Sequence, residues 1–61
     1  MKITLKAARV NAGFTQDQVK EKLGCSRNTI YRWERGIGSP KLTDLVKLCA
    51  LYGVPIECIK P

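Results

Sequence analysis

Residues 26–35 have the sequence Ser-Arg-Asn-Thr-Ile-Tyr-Arg-Trp-Glu-Arg, and their spacing predicts a short α-helix with two unlike sides. Because successive residues of an α-helix turn by about 100°, Ser26, Ile30 and Trp33 fall on one side, which can be buried. Every side chain on the opposite side carries a hydrogen-bond donor: Arg27, Asn28, Tyr31, Arg32 and Arg35. The pattern predicts a helix that packs on a core through one side and presents the other to a ligand.

The donor side of this helix suits the major groove of double-stranded DNA. An arginine can donate two hydrogen bonds to guanine O6 and N7, and an asparagine can bond adenine N6 and N7. The groove is wide enough to admit an α-helix. The alternative interpretation is a solvated polar face on an ordinary surface helix, and the helix taken alone favours that alternative. The flanking sequence decides between them.

The composition favours a polyanionic partner. The 61 residues include 11 Lys and Arg against 5 Asp and Glu, which gives a net charge of +6. Nucleic acid is the first candidate for such a chain, and an anionic membrane surface is the second. Between Lys22 and Lys41, Glu34 is the single acid among five basic residues. The centre of the chain is therefore the predicted electrostatic contact surface.

The length and residue types argue against an enzyme or a metal protein. Residues 1–61 make one domain, and a chain this short buries only about 60% of its unfolded surface, which leaves no room for a deep catalytic cleft. It has no histidine, and Cys25, Cys49 and Cys58 form no close pair, so we expect no metal site and no cofactor. We interpret the cysteines as small core residues in a reducing cytosol. With no signal peptide and no apolar run of about 18 residues, a cytoplasmic protein is expected.

Two helices are predicted before residue 26. The first spans residues 4–12, with a threonine as its N-cap, and ends at Gly13. The second begins with a capping box formed by Thr15 and Gln18 and ends at Gly24. Its first turn also carries an aspartate, Asp17, which suits the positive end of the helix dipole.

The connection between the second and third helices consists of Gly24 and Cys25 alone. Two short helices joined by such a turn must cross steeply, which is the helix-turn-helix arrangement. A plain helical hairpin is the alternative, and it usually has a longer polar loop. The short connection therefore favours the helix-turn-helix.

Two more helices are predicted after Gly36, which ends the third. A helical stripe that ends before Gly53 predicts the fourth: Leu42, Leu45, Leu48, Cys49 and Tyr52. Pro55 at a first-turn position predicts a short fifth helix over residues 56–59. The predicted fold is all-α, with five short helices around one core.

An ordered set of spacings runs through most of the chain. It comprises Arg9, Gly13, Phe14-Thr15-Gln16, Val19, Leu23-Gly24, Ser26, Ile30, Trp33-Glu34-Arg35-Gly36, Pro40, Leu45, Leu48 and Gly53-Val54. With this set, residues 5–59 resemble the lambda-type repressor and Cro helix-turn-helix family, also called the xenobiotic-response-element-like transcriptional regulators. The resemblance implies a lambda-repressor-like domain that binds double-stranded DNA. One departure is Lys20, where the family usually has an alanine because the two helices pack closely there.

The resemblance also implies roles for individual side chains. The residues in the family's base-contacting positions, with a tyrosine beside them, are Arg27, Asn28, Arg32 and Tyr31. The residues expected at DNA phosphates are Gln16, Thr29, Lys41 and Arg35. Gln16 begins the second helix, where free N–H groups suit an anion. Arg9 and Glu34 resemble the pair that ties the first helix to the third.

Each role has a plainer alternative. In the alternative, the base-contacting residues are solvated or bind phosphate, Tyr31 rests on the second helix, and Gln16 is an ordinary helix-start glutamine. We assign Trp33 to the core rather than to a stacking surface, because it shares the side of Ile30.

The function predicted is that of a sequence-specific DNA-binding regulator, a repressor of a phage or mobile-element type. A homodimer on a palindromic operator is expected, because the C-terminal stretch is rich in apolar residues that suit a two-fold interface: Leu51, Tyr52, Val54, Ile56, Cys58 and Ile59. The same residues motivate an alternative, an antitoxin-like protein-interaction module with secondary DNA binding. An RNA-binding domain is disfavoured because no aromatic stacking platform is evident.

Overall fold

A computed structural model describes residues 2–60, which form four α-helices and one turn of 3₁₀-helix. The elements are α1 (Leu5–Asn11), α2 (Gln16–Leu23), α3 (Arg27–Glu34), α4 (Leu42–Tyr52) and a 3₁₀-helix (Ile56–Cys58). The predicted all-α fold is confirmed, with one difference: the fifth helix is a single 3₁₀ turn. It stops before Ile59 because that residue adopts extended backbone angles and pairs with the other end of the chain.

The first three helices begin at the residues that the sequence predicts. The Thr4 hydroxyl accepts a hydrogen bond from the N–H of the third helical residue at 3.0 Å. At the start of α2, the Thr15 and Gln18 side chains each bond the other's backbone N–H, which is the predicted capping box. Ser26 Oγ accepts from the Thr29 N–H at 3.2 Å. These bonds satisfy N–H groups that no helical carbonyl can reach.

Two glycines end helices, as predicted. Gly24 after α2 and Gly53 after α4 have φ angles of 74° and 72°, which lie in the left-handed region where a Cβ is strained. Ser26 is the N-cap of α3, as the sequence predicts, and the predicted span was one residue too long at the other end, because Arg35 is a cap rather than a helical residue.

The core receives one almost fully buried side chain from each α-helix. These are Ala8, Val19, Ile30 and Leu48, all at most 2% exposed. Cys49, Tyr52 and Ile59 complete the buried cluster. Trp33 was predicted to be core and is half-buried, packed against the edge of this cluster.

Leu42 was wrongly placed in the buried stripe of α4, since it is 70% exposed. Helical side chains tilt toward the helix N-terminus. The side chain of the first residue of α4 therefore points past the end of the packed helices.

The two ends of the described chain meet in a short backbone pairing. Ile3 and Ile59 form an isolated parallel bridge. The Ile3 N–H donates to the Cys58 carbonyl at 2.8 Å, and the Lys60 N–H donates to the Ile3 carbonyl at 2.7 Å. A single bridge is not surrounded by the alternation of apolar and polar residues that marks a β-strand, so the sequence did not predict it.

The prediction of an apolar surplus at the C-terminal end was mostly wrong. Tyr52 and Ile59 are buried in the core, Leu51, Val54 and Cys58 are half-buried, and Ile56 is exposed. The chain uses these residues internally because the terminal pairing holds Ile59 beside Ile3 and the 3₁₀ turn packs on α4. None of the helices in residues 2–60 is long and apolar enough to cross a membrane.

Stability is expected to fall at high pH through Tyr52. Burial, with a smaller effect from the nearby Glu34 carboxylate, raises the pKa of Tyr52 to about 12, whereas an unfolded tyrosine has a pKa of about 10. Above about pH 10 the unfolded chain therefore loses a proton that the folded chain keeps, so the free energy of unfolding decreases up to about pH 12. Urea unfolding at about pH 9 and pH 11 should show a smaller decrease for Tyr52→Phe than for the wild type. Tyr31→Phe, at an exposed tyrosine, is the control, and an unchanged decrease in Tyr52→Phe would contradict the prediction.

Candidate nucleic-acid interface

The outer face of α3 is the candidate interface, and the packing of Ile30 orients it. Ile30 is 2% exposed, and the side chains on the opposite side of the same helix point into solvent. The exposed donors are Arg27, Asn28, Tyr31, Arg32 and Arg35. The two unlike sides predicted for this helix are therefore present in the structure.

Tyr31 and Arg35 form a pair at the C-terminal half of this face. The Arg35 guanidinium carbon lies 5.7 Å from the centre of the Tyr31 ring, which is a cation–π contact. Tyr31 is 45% exposed, so the ring is open to solvent as well as supporting the guanidinium. The contact restrains Arg35, whose charge remains at the surface.

Two shallow hollows lie where the start of α2 meets α3. Gln16, Arg27, Asn28 and Tyr31 line the first. The second shares two of these residues and is lined by Arg9, Thr15, Gln16, Asp17 and Arg27. The structure thus brings Gln16, predicted at a phosphate, together with three of the predicted base-contacting residues.

A hydrogen-bonded network lies beneath these hollows. Arg9 Nε donates to Glu34 Oε2 at 2.7 Å, and Arg9 Nη2 donates to Glu34 Oε1 at 3.2 Å. Arg9 Nη1 donates to the Phe14 carbonyl at 2.9 Å. The bond to Glu34 raises the pKa of Arg9, against the opposing effect of burial. The network ties α1 to α3, which is the role that the resemblance implied for this pair.

Gln16 joins the same network. Its Nε2 donates to Glu34 Oε1 at 2.9 Å. An amide nitrogen carries two N–H groups, so one remains after this bond. Because the Glu34 carboxylate only accepts hydrogen bonds, the nitrogen of the Gln16 amide, rather than its oxygen, faces Glu34. Gln16 is half-buried and retains one donor for an anion at the start of α2.

The other residues expected at phosphates occupy different environments. Thr29 is half-buried, and its Oγ1 lies 2.9 Å from Ser26 Oγ, so this hydroxyl already has a partner. Lys41 precedes α4, is exposed, and lines neither hollow. Lys20, the departure from the family pattern, is half-buried in α2, as expected if its aliphatic stem covers the helix contact.

Asp17 is the interface residue whose contact the sequence interpretation missed. Its Oδ1 lies 3.7 Å from Arg27 Nε. The sequence indicated only a favourable position at the helix dipole. No local signal links residues ten positions apart on two helices, so the contact appears only once α2 and α3 are packed. Within residues 2–60, no three potential metal-ligating side chains come together.

Comparisons with known proteins agree with the helix-turn-helix arrangement of the chain. A family model described as helix-turn-helix matches residues 5–57. The transcriptional repressor RstR of cryptic phage CTXphi, from Vibrio cholerae, is 38% identical over 52 residues, which are 85% of this chain and 47% of that protein. The HTH-type transcriptional regulator ImmR of Bacillus subtilis is 42% identical over 53 residues, 87% of this chain and 42% of that protein.

A third similar protein is close to this chain in length. An uncharacterized HTH-type transcriptional regulator of Methanocaldococcus jannaschii is 41% identical over 59 residues, 97% of this chain and 89% of that protein. By contrast, the chain spans less than half the length of RstR and of ImmR. No solved structure matches the chain.

Proposed function

The chain belongs to the Cro/C1-type helix-turn-helix family of DNA-binding transcriptional regulators, and we propose that it binds a specific double-stranded DNA site with α3 in the major groove. The orientation of α3 carries the proposal: Ile30 is buried, and the opposite face is exposed and made of donors. The proposal extends to a repressor of a phage or mobile-element type, because one similar protein is named a phage transcriptional repressor. We propose that it acts in the cytoplasm. The proposal includes neither catalysis nor a cofactor.

The side chains of α3 match the chemistry of base edges. Arg27 and Arg32 carry guanidinium forks for guanine O6 and N7, and Asn28 carries an amide for adenine N6 and N7. Gln16 supports a phosphate contact through its remaining N–H and through the free N–H groups at the start of α2. Phosphate contacts set the position of the protein on the duplex, and base contacts set its sequence preference.

We also propose that two copies bind a palindromic operator, with their α3 helices about 34 Å apart, one turn of duplex. Leu42 and Val46 support this part of the proposal, since they lie four residues apart on α4 and are 70% and 51% exposed. Residues at this spacing lie on one side of a helix. They offer an apolar surface that the monomer leaves uncovered.

Selection of bound duplexes from a random DNA pool tests the proposal. A palindromic consensus with half-sites about 10 base pairs apart is expected. Recovery of unrelated sequences without a consensus would contradict sequence-specific binding. A consensus with no internal symmetry would contradict the dimer and leave the base contacts in place.

Arg32→Ala is expected to weaken operator binding by about 1–3 kcal/mol and to relax the preference at one base pair of each half-site. The physical reason is the loss of two hydrogen bonds to a base edge. Fluorescence anisotropy with the selected duplex and with duplexes substituted at each position gives the measurement. Lys47→Ala, at an exposed lysine of α4, is the matched control, because it removes the same charge away from α3. Equal weakening of every sequence by Arg32→Ala would overturn its role at a base.

An antitoxin-like interaction module is the second candidate function. The exposed apolar residues of α4 favour it as much as they favour a homodimer. Native mass measurement of the protein purified from its own cells distinguishes the two. A stable complex with a different protein supports the module, and a homodimer alone supports the regulator.

A further inference from the structure

We propose that Asp17 is a specificity-determining residue, which positions Arg27 for its base contact by holding the guanidinium from the side. This inference rests on the proposed function, because it concerns the same face of α3. Asp17 lies in the first turn of α2, and Arg27 is the first residue of α3.

The contact between the two side chains leaves the terminal nitrogens of the Arg27 guanidinium available. Asp17 Oδ1 lies 3.7 Å from Arg27 Nε. Nε is the guanidinium nitrogen nearest the aliphatic stem, so the two terminal nitrogens stay available for guanine O6 and N7. The two side chains are 64% and 65% exposed, and both line the hollow that Gln16 also lines. The pair is therefore at the surface that meets DNA.

Asp17 places a negative charge where the ligand is a polyanion. Glu34, the last residue of α3, has a side chain that is only 5% exposed and is bonded to Arg9 and Gln16. The carboxylate of Asp17 is open and repels every phosphate near it, whatever the sequence. The positive end of the helix dipole stabilises a carboxylate at the start of α2, but that stabilisation does not require contact with Arg27. Through this contact, the Asp17 charge acts on the Arg27 side chain as well as repelling phosphates.

That effect is to favour one orientation of Arg27 over another. A flexible arginine on a DNA-binding face can contact a base edge or move to a phosphate. The carboxylate restrains the guanidinium at Nε, and it opposes the approach of a phosphate oxygen. An exposed ion pair contributes little in water, but the same pair is stronger where DNA excludes water. Arg27 held in this way discriminates guanine from other bases more sharply than a free arginine.

The test compares Asp17→Asn with Glu21→Gln. Both variants remove one carboxylate charge from α2, and Glu21 is exposed like Asp17. Among residues 2–60, Arg27 has its ion pair with Asp17 and none with Glu21. Dissociation constants are measured for the selected operator, for random-sequence DNA and for operators substituted at the base pair where Arg27→Ala loses its preference.

Glu21→Gln is expected to tighten binding to operator and random DNA by similar factors. Asp17→Asn is expected to tighten binding to random DNA and to lower the ratio of specific to random affinity by about 5–20-fold, part of the discrimination that a bidentate arginine provides. The loss should be confined to the base pair of Arg27. In an Arg27→Ala background, Asp17→Asn should no longer change the ratio.

Three results would overturn the inference. These are an unchanged ratio in Asp17→Asn, an equal change of the ratio in Glu21→Gln, and an equal change with and without Arg27. A wild-type protein with no sequence preference would instead overturn the proposed function. Thermal unfolding of each variant establishes that the compared proteins are folded at the temperature of measurement.

Discussion

Glu34→Ala is expected to lower the free energy of unfolding by about 3–5 kcal/mol, the cost of breaking a buried ion pair from one side. The Glu34 side chain is 5% exposed and accepts hydrogen bonds from Arg9 and Gln16. Its removal leaves the Arg9 guanidinium, 11% exposed, with the Phe14 carbonyl as its remaining partner. A domain of this size has a stability of only about 5 kcal/mol, so a large share of the molecules should be unfolded.

Urea unfolding followed by Trp33 fluorescence measures this loss. Glu57→Ala, at an exposed glutamate, is the matched control and should change the free energy of unfolding by less than about 0.5 kcal/mol. The double variant Arg9→Met with Glu34→Leu should recover most of the loss, because it removes both buried charges together. A loss below about 1 kcal/mol in Glu34→Ala would show that the pair is better solvated than its burial indicates.

Operator binding is expected to weaken by a factor on the order of 10⁴–10⁵ when salt is raised from about 50 mM to about 200 mM. The reason is counterion release from the phosphates that basic side chains neutralise. With about four to five phosphates contacted by each protomer, a dimer contacts about eight to ten, which gives a log–log slope of about −7 to −9. The exposed basic residues Arg35 and Lys41 are expected among these contacts, and Gln16 adds a neutral donor.

Fluorescence anisotropy at several salt concentrations gives the slope and tests the stoichiometry at the same time. A slope near half the expected value indicates a single protomer on the DNA. Lys41→Ala should make the slope of a dimer shallower by about 2, one charge for each protomer. Glu57→Gln is a control for the loss of one charge far from the phosphates and should leave the slope unchanged. A wild-type slope shallower than about −3 would lie below the value for even one protomer with about four phosphate contacts and would contradict the proposed contacts.

Helix starts and ends were predictable because short-range bonds determine them. The Thr15 and Gln18 capping box joins residues three positions apart, and Gly24 and Gly53 end helices through their own backbone angles. The buried and exposed sides of α3 were also predictable, because helical spacing places Ile30 on the side opposite the donors. These features need no knowledge of the rest of the fold.

The C-terminal stretch was less predictable, because its burial depends on distant residues. Its apolar side chains suggested an exposed interface, but the bridge between Ile3 and Ile59 folds them inward. Leu42 matched the helical stripe and is exposed, because its place at the first turn of α4 carries it past the packed helices. Spacing identifies a possible buried face, and packing determines how much of that face is covered.

The amino-acid sequence by itself determined the helices, the glycine turns and the donor side of α3, since each depends on residues within a few positions of one another. Only the tertiary structure decided which side chains Gln16 and Asp17 contact. Gln16 bonds Glu34 across 18 positions, and Asp17 contacts Arg27 across the turn. Both contacts depend on how α2 crosses α3, and that crossing results from the packing of the whole core rather than from any local pattern.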